Sequence, residues 1–266
     1  MKAGFIGAGN MGGALAEAVK KAIGAANVFV ADSNEERTVA AAKRLGIEAS
    51  DNQYIANFCD VVFIGVKPNI VEKAIGDIAE DLQKRKGVLL VCMAAGVTVE
   101  KIESYAGANV PVIRIMPNTS VKVGEGVVSY VKGKFVTDEE EENFKLCLKK
   151  AGVVRELSEA QLEAAGALAG CGPAFVYKFI EALADAGVEC GLTREIATLY
   201  AEQTVLGAAK TAVTTGEDPA KLRGDVCSPG GTTIAGVHAL EKGCFAGTVM
   251  DAVKASYDKT FELLKK

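Results

Sequence analysis

The stretch that decides the fold is A-G-F-I-G-A-G-N-M-G (residues 3–12), in which an apolar run leads directly into the pattern G-x-G-x-x-G. Apolar residues recur at helical spacing between Leu15 and Ile23, so the glycines lie on a turn from a strand to a helix. Gly7 permits a tight turn, Gly9 lets a pyrophosphate approach the backbone, and Gly12 lets helix and strand pack closely. The pattern predicts a dinucleotide site at the free N–H groups of the helix start; a bare turn in an unrelated α/β protein is the alternative.

Composition limits the classes to which the chain can belong. Its 266 residues are 49% hydrophobic and 24% charged, as in a soluble globular protein of two domains. A net charge of −4 gives no field that would gather nucleic acid or an anionic membrane. One histidine and seven cysteines without C-x-x-C spacing favour free thiols and predict no metal site. We find no signal peptide and no apolar run of membrane-spanning length, and therefore expect a cytoplasmic protein without a membrane partner.

Strand and helix patterns alternate through the first 157 residues. Strands are predicted at 2–6, 27–31, 61–66, 88–93, 112–116 and 126–131, with 153–154 closing the sheet. Helices are predicted at 35–45, at 71–82, after Thr98, and after Thr137, whose spacing to Glu140 fits a capping box. This alternation predicts an α/β fold in which a Rossmann-type, doubly wound parallel sheet forms a first domain at 1–157.

From residue 158 onward the strand patterns vanish and alanine-rich helical patterns take over. Helices are predicted at 159–168, 173–189, 193–215, 219–225, 233–242 and 246–265. A helical array this short needs a partner for its apolar faces, either the first domain or a second subunit. Its apolar positions exceed what one helical layer covers, so we expect the all-helical domain at 158–266 to form the dimer interface.

Three polar segments follow predicted strands at the edge that carries the glycine turn. They are Val66-Lys67-Pro68-Asn69, Ala94-Ala95-Gly96 and Met116-Pro117-Asn118-Thr119. Taken singly, each fits an ordinary loop. In an open parallel sheet, however, the ligand lies beyond the carboxyl ends of the strands, so their clustering favours a functional role.

The end of the second predicted strand bears on the choice of cofactor. Asp32 stands 20 residues after Gly12, where a carboxylate binds the ribose hydroxyls and selects NAD over NADP. Ser33, Asn34 and Arg37 follow at once, and they suit a 2′-phosphate if Asp32 turns away. The residues leave both cofactors open.

A second informative segment is S-P-G-G-T-T (residues 228–233), which lies between two predicted helices. Glycines and hydroxyls that open a helix make a site for a small anion, with backbone N–H groups as donors. A helix cap with a tight turn also explains such residues. Because two glycines and three hydroxyls exceed what a cap requires, we favour a site for a carboxylate.

These motifs, taken together in their order along the chain, resemble the Δ1-pyrroline-5-carboxylate reductase family over the whole length. The residues that carry the resemblance are F-I-G-A-G-N-M-G (5–12), V-K-P (66–68), A-A-G-V (94–97), M-P-N-T (116–119), G-C-G-P-A-F (170–175) and V-C-S-P-G-G-T-T-I (226–234). The resemblance implies an oxidoreductase that reduces a cyclic imine to L-proline with NADPH or NADH, with NADPH modestly favoured. It also implies a homodimer built through the helical domain, and possible rings of dimers.

The resemblance assigns site residues one by one. Besides Asp32, the positions expected to hold the cofactor are Gly7, Ala8, Gly9, Asn10, Met11, Gly12, Ser33, Asn34, Asn52, Val66, Lys67, Pro68, Ala94 and Ala95. The positions expected to bind the substrate are Ser228, Gly231, Thr232, Thr233 and, by position alone, Glu159. Thr233 and Ser228 are expected to serve catalysis, with the Thr233 hydroxyl on the ring nitrogen. A protonated imine already carries the electrophilic carbon, so orientation and charge placement suffice without an acid/base pair.

Two rival functions remain open on the sequence. One is another small reductase of the same architecture that acts on a different imine or on a β-hydroxy acid. A hydroxy-acid dehydrogenase would need a lysine or histidine beside the substrate hydroxyl, and Lys178 is the plausible one. A non-catalytic dinucleotide sensor would keep the glycine turn but lose the loop at 228–233, which is intact here.

Overall fold

The computed structural model describes residues 1–107 and 109–264. An eight-stranded sheet occupies its N-terminal part, in the order β3-β2-β1-β4-β5-β6-β7-β8. The strands are β1 (Ala3–Ile6), β2 (Val28–Ala31), β3 (Glu48–Ala49), β4 (Val61–Ile64), β5 (Leu89–Cys92), β6 (Val112–Pro117), β7 (Gly126–Lys132) and β8 (Gly152–Glu156). Neighbours from β3 to β6 pair in parallel, β7 is antiparallel to β6, and β8 is parallel to β7. The chain order reverses beside β1, and ligands of open α/β sheets bind at such a reversal.

Helices cover both faces of this sheet. They are α1 (Asn10–Ile23), α2 (Glu35–Leu45), α3 (Asn52–Phe58), α4 (Val71–Gln83), α5 (Val99–Ala106), α6 (Asp138–Leu148) and α7 (Glu159–Ala165). Side chains accept N–H groups at several helix starts, among them Asn34 at α2, Asp51 at α3 and Thr98 at α5. Thr137 and Glu140 form the predicted capping box at α6.

Alternate residues of the short strands feed two separate cores. In β1, Phe5 packs in the core on one face of the sheet and Ile6 in the core on the other, and both are buried. The Phe5 ring stacks on Phe63 of β4, with ring centroids 4.5 Å apart. Burial on both faces is the reason that these strands read as continuous apolar runs rather than as an alternation.

Three buried thiols belong to these cores. Burial raises the pKa of Cys59 to about 12, of Cys92 to about 11 and of Cys147 to about 12. All seven cysteines are free, and the other four are exposed or half-buried. A buried thiol with a raised pKa stays protonated and inert at neutral pH.

The helical part consists of α8 (Gly172–Glu189), α9 (Arg194–Thr215), α10 (Pro219–Asp225), α11 (Thr232–Lys242) and α12 (Phe245–Leu264). Its core is small: Ala184, Ala197 and Ala201 are the members of its buried cluster, with three half-buried aliphatic side chains around them. Large apolar side chains lie exposed on all of its helices but α10, with Tyr200 at 60% and Val213 at 85% exposure. Such exposure indicates a surface made for a partner.

Internal contacts divide the chain into two compact units. The sheet unit holds Met1–Cys171 and the residues from Tyr257 onward, and the helical unit holds Gly172–Ser256. The expected domain boundary after residue 157 precedes α7, which packs within the sheet unit, and it stays a prediction. The expected ends of the last helix at Lys265 and of the second domain at Lys266 lie outside the described residues.

The structure corrects several details of the sequence analysis. The sheet is not parallel throughout, because β7 runs against β6. The strand β3 and the helix α3 were not predicted, and the helix expected at 159–168 ends at Ala165 and continues as a π-helix over Gly166–Gly170. Contrary to expectation, the helical stretch Glu159–Glu189 is long and apolar enough to cross a membrane by length and composition alone. A helix that packs against another subunit has the same composition.

Candidate functional site

The three glycines of the turn meet three different environments. Gly7 has a φ of +98° and donates its N–H to the Ala31 carbonyl at 2.8 Å, so the backbone turns tightly beside β2. A Cβ on Gly12 would collide with the Gly7 carbonyl oxygen, which shows how closely α1 lies against the turn. Around Gly9, by contrast, no described residue other than its neighbours in the chain lies within 4 Å of the place that a Cβ would take. The open space fits a pyrophosphate at the position where the motif requires one.

The first turn of α1 presents free N–H groups to this space. Gly9 is the N-cap residue; no side chain in the described ranges caps the helix, and its first turn holds no acidic residue. The first hydrogen bond within the helix runs from the Gly13 N–H to the Gly9 carbonyl at 2.8 Å. The three N–H groups before it therefore remain free to donate to a ligand; they belong to Asn10, Met11 and Gly12. This helix start is suited to binding an anionic group.

Asp32 turns its carboxylate toward the glycine turn. One oxygen lies 3.5 Å from the Ala8 N–H, and the other accepts the Ser33 hydroxyl at 3.3 Å. The side-chain oxygen of Asn34 caps α2 by accepting the Arg37 N–H at 3.0 Å. Asp32, Ser33 and Asn34 thus lie together at the end of β2. Both carboxylate oxygens of Asp32 already have a donor within the chain, one from the Ala8 N–H and one from the Ser33 hydroxyl.

A cavity of about 810 Å³ opens beside Asp32 and Ser33 and extends to the start of α3. Asn52 lines it, and the side-chain oxygen of Asn52 is buried without a hydrogen-bond partner among the described residues. A buried acceptor without a donor is costly, so it indicates a place for a ligand hydroxyl or amino group. The geometry fits the adenosine half of a dinucleotide.

The residues expected at the nicotinamide half lie at the carboxyl ends of β4 and β5. Val66 is half-buried, Lys67 and Ala95 are exposed, and Ala94 is buried at 3% exposure. Because β4 lies between β1 and β5 in the sheet, these turns share one edge with the glycine turn. This arrangement is what the sequence predicted for that edge.

Asn118 and Glu159 are held by contacts within the sheet unit. The Asn118 side chain donates to the Ala169 carbonyl at 3.0 Å and accepts the Val127 N–H at 3.1 Å, which ties the end of β6 to the π-helix. One oxygen of Glu159 accepts from the Arg114 guanidinium at 2.8 Å and from the Val99 N–H at 3.2 Å. These bonds give Glu159 a structural role, and its expected contact with the substrate stays a prediction.

Arg114, a buried arginine on β6, was not predicted to have a role. Its side chain is 1% exposed and also pairs with Glu163, while its Nε atom and one Glu163 oxygen lack partners among the described residues. The signal was a single arginine inside the apolar run 112–116. A buried charge of this kind needs charged partners, which Glu159 and Glu163 supply.

The loop at 228–233 begins α11 in the helical unit. Gly230 has a φ of +67°, and Gly231 donates its N–H to the Ser228 carbonyl at 3.0 Å. A Cβ on Gly231 would collide with the Ser228 hydroxyl, so the absence of a side chain at Gly231 leaves room for this hydroxyl. No side chain of the described ranges caps α11, and Thr232 and Thr233 lie exposed in its first turn. A helix start with free N–H groups and neighbouring hydroxyls is suited to binding a small anion.

Among the residues that the structure describes, no group of three or more His, Cys, Asp or Glu side chains is arranged to hold a metal ion. A doubly wound sheet with the glycine turn at its chain reversal defines the class of dinucleotide-binding proteins.

Comparisons with known proteins narrow this class. Residues 2–96 match the family described as NADP oxidoreductase, coenzyme F420-dependent, and residues 159–263 match the family described as pyrroline-5-carboxylate reductase dimerisation. The pyrroline-5-carboxylate reductase of Pisum sativum is 40% identical over 263 residues, which cover 98% of this chain and 95% of that protein. That of Aquifex aeolicus is 39% identical, covering 99% and 97%.

A solved structure agrees with these relatives. The pyrroline carboxylate reductase of Plasmodium falciparum with NADP bound superposes with a TM-score of 0.85 at 33% identity, covering 98% of this chain and 97% of that one. The chain belongs to the pyrroline-5-carboxylate reductase family. The comparisons confirm the resemblance inferred from the motifs.

Proposed function

We propose that the protein reduces 1-pyrroline-5-carboxylate to L-proline with NADPH or NADH, the last step of proline biosynthesis. The observation that carries this proposal is the likeness to named pyrroline-5-carboxylate reductases over 98% of the chain. The open space at Gly9 would take the cofactor, and the uncapped helix start in the loop at 228–233 would take the substrate carboxylate.

The glycine turn and its neighbours would hold the cofactor, which when bound supplies a hydride. The N–H groups that open α1 would bind its pyrophosphate, and Asn52, with its unpartnered oxygen, would bind the adenosine half. Lys67 and Ala95, both exposed at the carboxyl edge of the sheet, would contact the nicotinamide half.

The loop at 228–233 would bind and orient the substrate. The Ser228 hydroxyl and the N–H groups at the start of α11 would take the carboxylate, because that helix start carries free donors. The Thr233 hydroxyl would hydrogen-bond the ring nitrogen. A substrate bound with its imine protonated would accept the hydride at the imine carbon, and the C=N π electron pair would move to nitrogen to give the secondary amine of proline. The residues therefore contribute binding, orientation and charge placement.

We also propose a cytoplasmic homodimer built through the helical unit, with larger rings of dimers as a further assembly. The dimerisation family model over residues 159–263 supports the dimer, as do the exposed apolar side chains of the helical unit. The bacterial and plant relatives support an enzyme that works in solution.

Turnover assays test the proposal against its rivals. The purified protein should oxidise NADPH and NADH with 1-pyrroline-5-carboxylate and leave a panel of β-hydroxy acids unchanged. Lys178, which a hydroxy-acid dehydrogenase would use, is exposed and donates to Glu181 at 2.9 Å, and this bond raises the lysine pKa. Turnover of a hydroxy acid alone would replace the proposal, and tight cofactor binding without turnover of any imine would favour a sensor.

A further inference from the structure

Asn118, which follows β6 at the carboxyl edge of the sheet, has no part in the proposed chemistry. It is 7% exposed, and both polar ends of its side chain are engaged. Its oxygen accepts the Val127 N–H in β7 at 3.1 Å, and its amide nitrogen donates to the Ala169 carbonyl at 3.0 Å. The amide therefore fixes the π-helix Gly166–Gly170 to the edge of the sheet.

The Ala169 carbonyl depends on this donor because of the sequence that follows it. In an α-helix, a carbonyl accepts the N–H of the residue four positions further on. That residue is Pro173, which has no N–H. The chain instead widens into a π-turn, in which the Cys171 N–H donates to the Gly166 carbonyl at 3.2 Å. The Asn118 amide thus supplies the hydrogen bond that Pro173 cannot make.

The π-helix lies beside the part of the sheet edge where the nicotinamide half is expected. Strands β5 and β6 pair in parallel with Cys92 opposite Arg114, and this register brings Met116 level with Ala94. A Cβ on Gly166 would lie 3.3 Å from the Met116 Cγ atom, so the absence of a side chain lets the π-helix pack closely on Met116. A shift of the π-helix therefore changes the surface beside the expected nicotinamide site.

We infer that Asn118 is a positioning residue for imine reduction, which acts by holding the π-helix against the end of β6. The inference rests on the proposed function. Hydride transfer depends steeply on geometry, since a misplacement of about 1 Å can lower a rate about 100-fold. The glycine turn and the adenosine cavity lie at β1, β2 and α3, and β4 and β5 separate them from β6. Loss of the Asn118 amide should therefore lower kcat and leave cofactor affinity unchanged.

Two substitutions separate the donor from the rest of the side chain. Asn118→Ala removes both hydrogen bonds, whereas Asn118→Asp keeps the acceptor for the Val127 N–H and loses the donor to Ala169. At neutral pH both should lower kcat with 1-pyrroline-5-carboxylate about 10- to 100-fold. The Kd of NAD(P)H, measured by fluorescence titration, should change less than about 2-fold. Asn57→Ala, which removes an exposed amide that donates to the Gln53 carbonyl within α3, is the control and should change neither constant.

Acid should restore the activity of Asn118→Asp alone. The new carboxyl group is buried against a carbonyl oxygen, so its pKa is raised above the ordinary value of an aspartate. Once it is protonated, its O–H can donate to the Ala169 carbonyl. The ratio of its kcat to the wild-type kcat at the same pH should rise toward one as the pH falls from about 8 to about 5. The ratio for Asn118→Ala should stay constant, and a constant ratio for Asn118→Asp as well would overturn the inference.

Hydrogen exchange tests the contact between Asn118 and the π-helix without turnover. Amides over residues 166–175 should exchange about 10-fold faster in Asn118→Ala than in the wild type, while those of α2 keep their rates. If Asn118→Ala fails to fold in thermal melting, Asn118→Asp takes its place, because it keeps the bond to Val127. A wild-type kcat in the folded variant, or unchanged exchange over 166–175, would overturn the inference and leave the proposed function in place. A wild-type protein that does not reduce the imine would overturn the proposed function instead.

Discussion

An added side chain should weaken cofactor binding at Gly9, whereas at Gly12, three residues further on, it should lower the stability of the fold. We expect Gly9→Val to weaken NAD(P)H binding about 100-fold, because the new methyl groups occupy the open space where the pyrophosphate approaches. The unfolding free energy should fall by only about 1 kcal/mol, since Gly9 has an extended conformation that valine adopts. Fluorescence titration and urea unfolding measure the two effects.

Gly12→Ala is the matched control. Its Cβ meets the Gly7 carbonyl oxygen, a backbone atom that cannot move aside, so the unfolding free energy should fall by roughly 2 kcal/mol. Unchanged cofactor affinity in Gly9→Val would show that the pyrophosphate binds elsewhere.

Removing the Thr233 hydroxyl and removing the Ser228 hydroxyl should affect different steady-state kinetic constants. If the Thr233 hydroxyl bonds the ring nitrogen mainly in the transition state, Thr233→Ala should lower kcat and kcat/KM together. One such bond is worth roughly 1–3 kcal/mol, or about 5- to 150-fold in rate. Ser228→Ala should chiefly raise KM, because a carboxylate contact is made equally before and during the reaction.

Cofactor affinity serves as the control for both loop variants and should stay near that of the wild type. An unchanged kcat in Thr233→Ala, combined with weaker NAD(P)H binding, would assign the loop to the dinucleotide. The substrate carboxylate would then bind elsewhere.

The sequence predicts single residues unevenly. The glycine turn can be predicted from the sequence because each of its glycines meets a backbone requirement that a residue with a side chain would not meet. The direction of the Asp32 carboxylate depends on the Ala8 N–H and the Ser33 hydroxyl around it, which no spacing encodes. Arg114 escaped notice because its partners, Glu159 and Glu163, lie more than 40 residues away in the sequence.

At the scale of elements, one carboxylate joins α6 to β7. Glu141 accepts the Tyr130 hydroxyl and the Lys132 ammonium, and Lys145 lies 3.0 Å away. The bond from Lys132, followed by that from Tyr130, lowers the pKa of Glu141 from 4.5 to about 2. Its stabilising effect is therefore complete above pH 4.5 and is lost as the pH falls toward 2.

We expect Glu141→Gln to lower the unfolding free energy at pH 7 by about 2 kcal/mol, since a charged hydrogen-bond acceptor is lost. The difference from the wild type should shrink at pH 3, where the wild-type carboxylate begins to take up a proton. Guanidinium unfolding at both pH values measures it. Glu142→Gln, at an exposed neighbouring carboxylate, should show a small difference at either pH; a constant gap for Glu141→Gln would refute the linkage.

The elements themselves were predictable where their patterns are long. The bounds of α2 were predicted without error, and in the structure the Asn34 side chain caps its first turn. The two-residue β3 and the seven-residue α3 lack enough turns for a period to show. The reversed direction of β7 escaped prediction because an apolar run has the same pattern in either direction, and the π-helix escaped because it continues a helical pattern with one residue extra per turn.

At the scale of the whole molecule, the helical unit should associate with a second copy. Its exposed large apolar side chains are Val176, Tyr177, Leu192, Ile196, Leu199, Tyr200, Leu206, Val213, Val226, Ile234, Leu240, Phe245, Val249 and Met250. Light scattering at micromolar concentration should give a dimer or a multiple of it. Leu206→Lys should shift the protein toward monomer, because a charge would enter the apolar interface.

Val123→Lys is the control, since Val123 is apolar and 72% exposed but lies in the sheet unit. It should leave the molar mass unchanged. A wild-type monomer with full activity would contradict both the dimer and its assignment to the helical unit.

The three buried thiols of the sheet unit can report how often this unit opens. A maleimide in the surrounding solution reaches Cys59, Cys92 and Cys147 only when the layers around them separate. The four exposed or half-buried cysteines react first, and each later increase in the mass of the intact chain records an opening event that exposed one of the buried sulfurs. Comparing that labelling rate with and without dinucleotide shows how strongly the ligand suppresses opening of the sheet unit, and it needs no mutation.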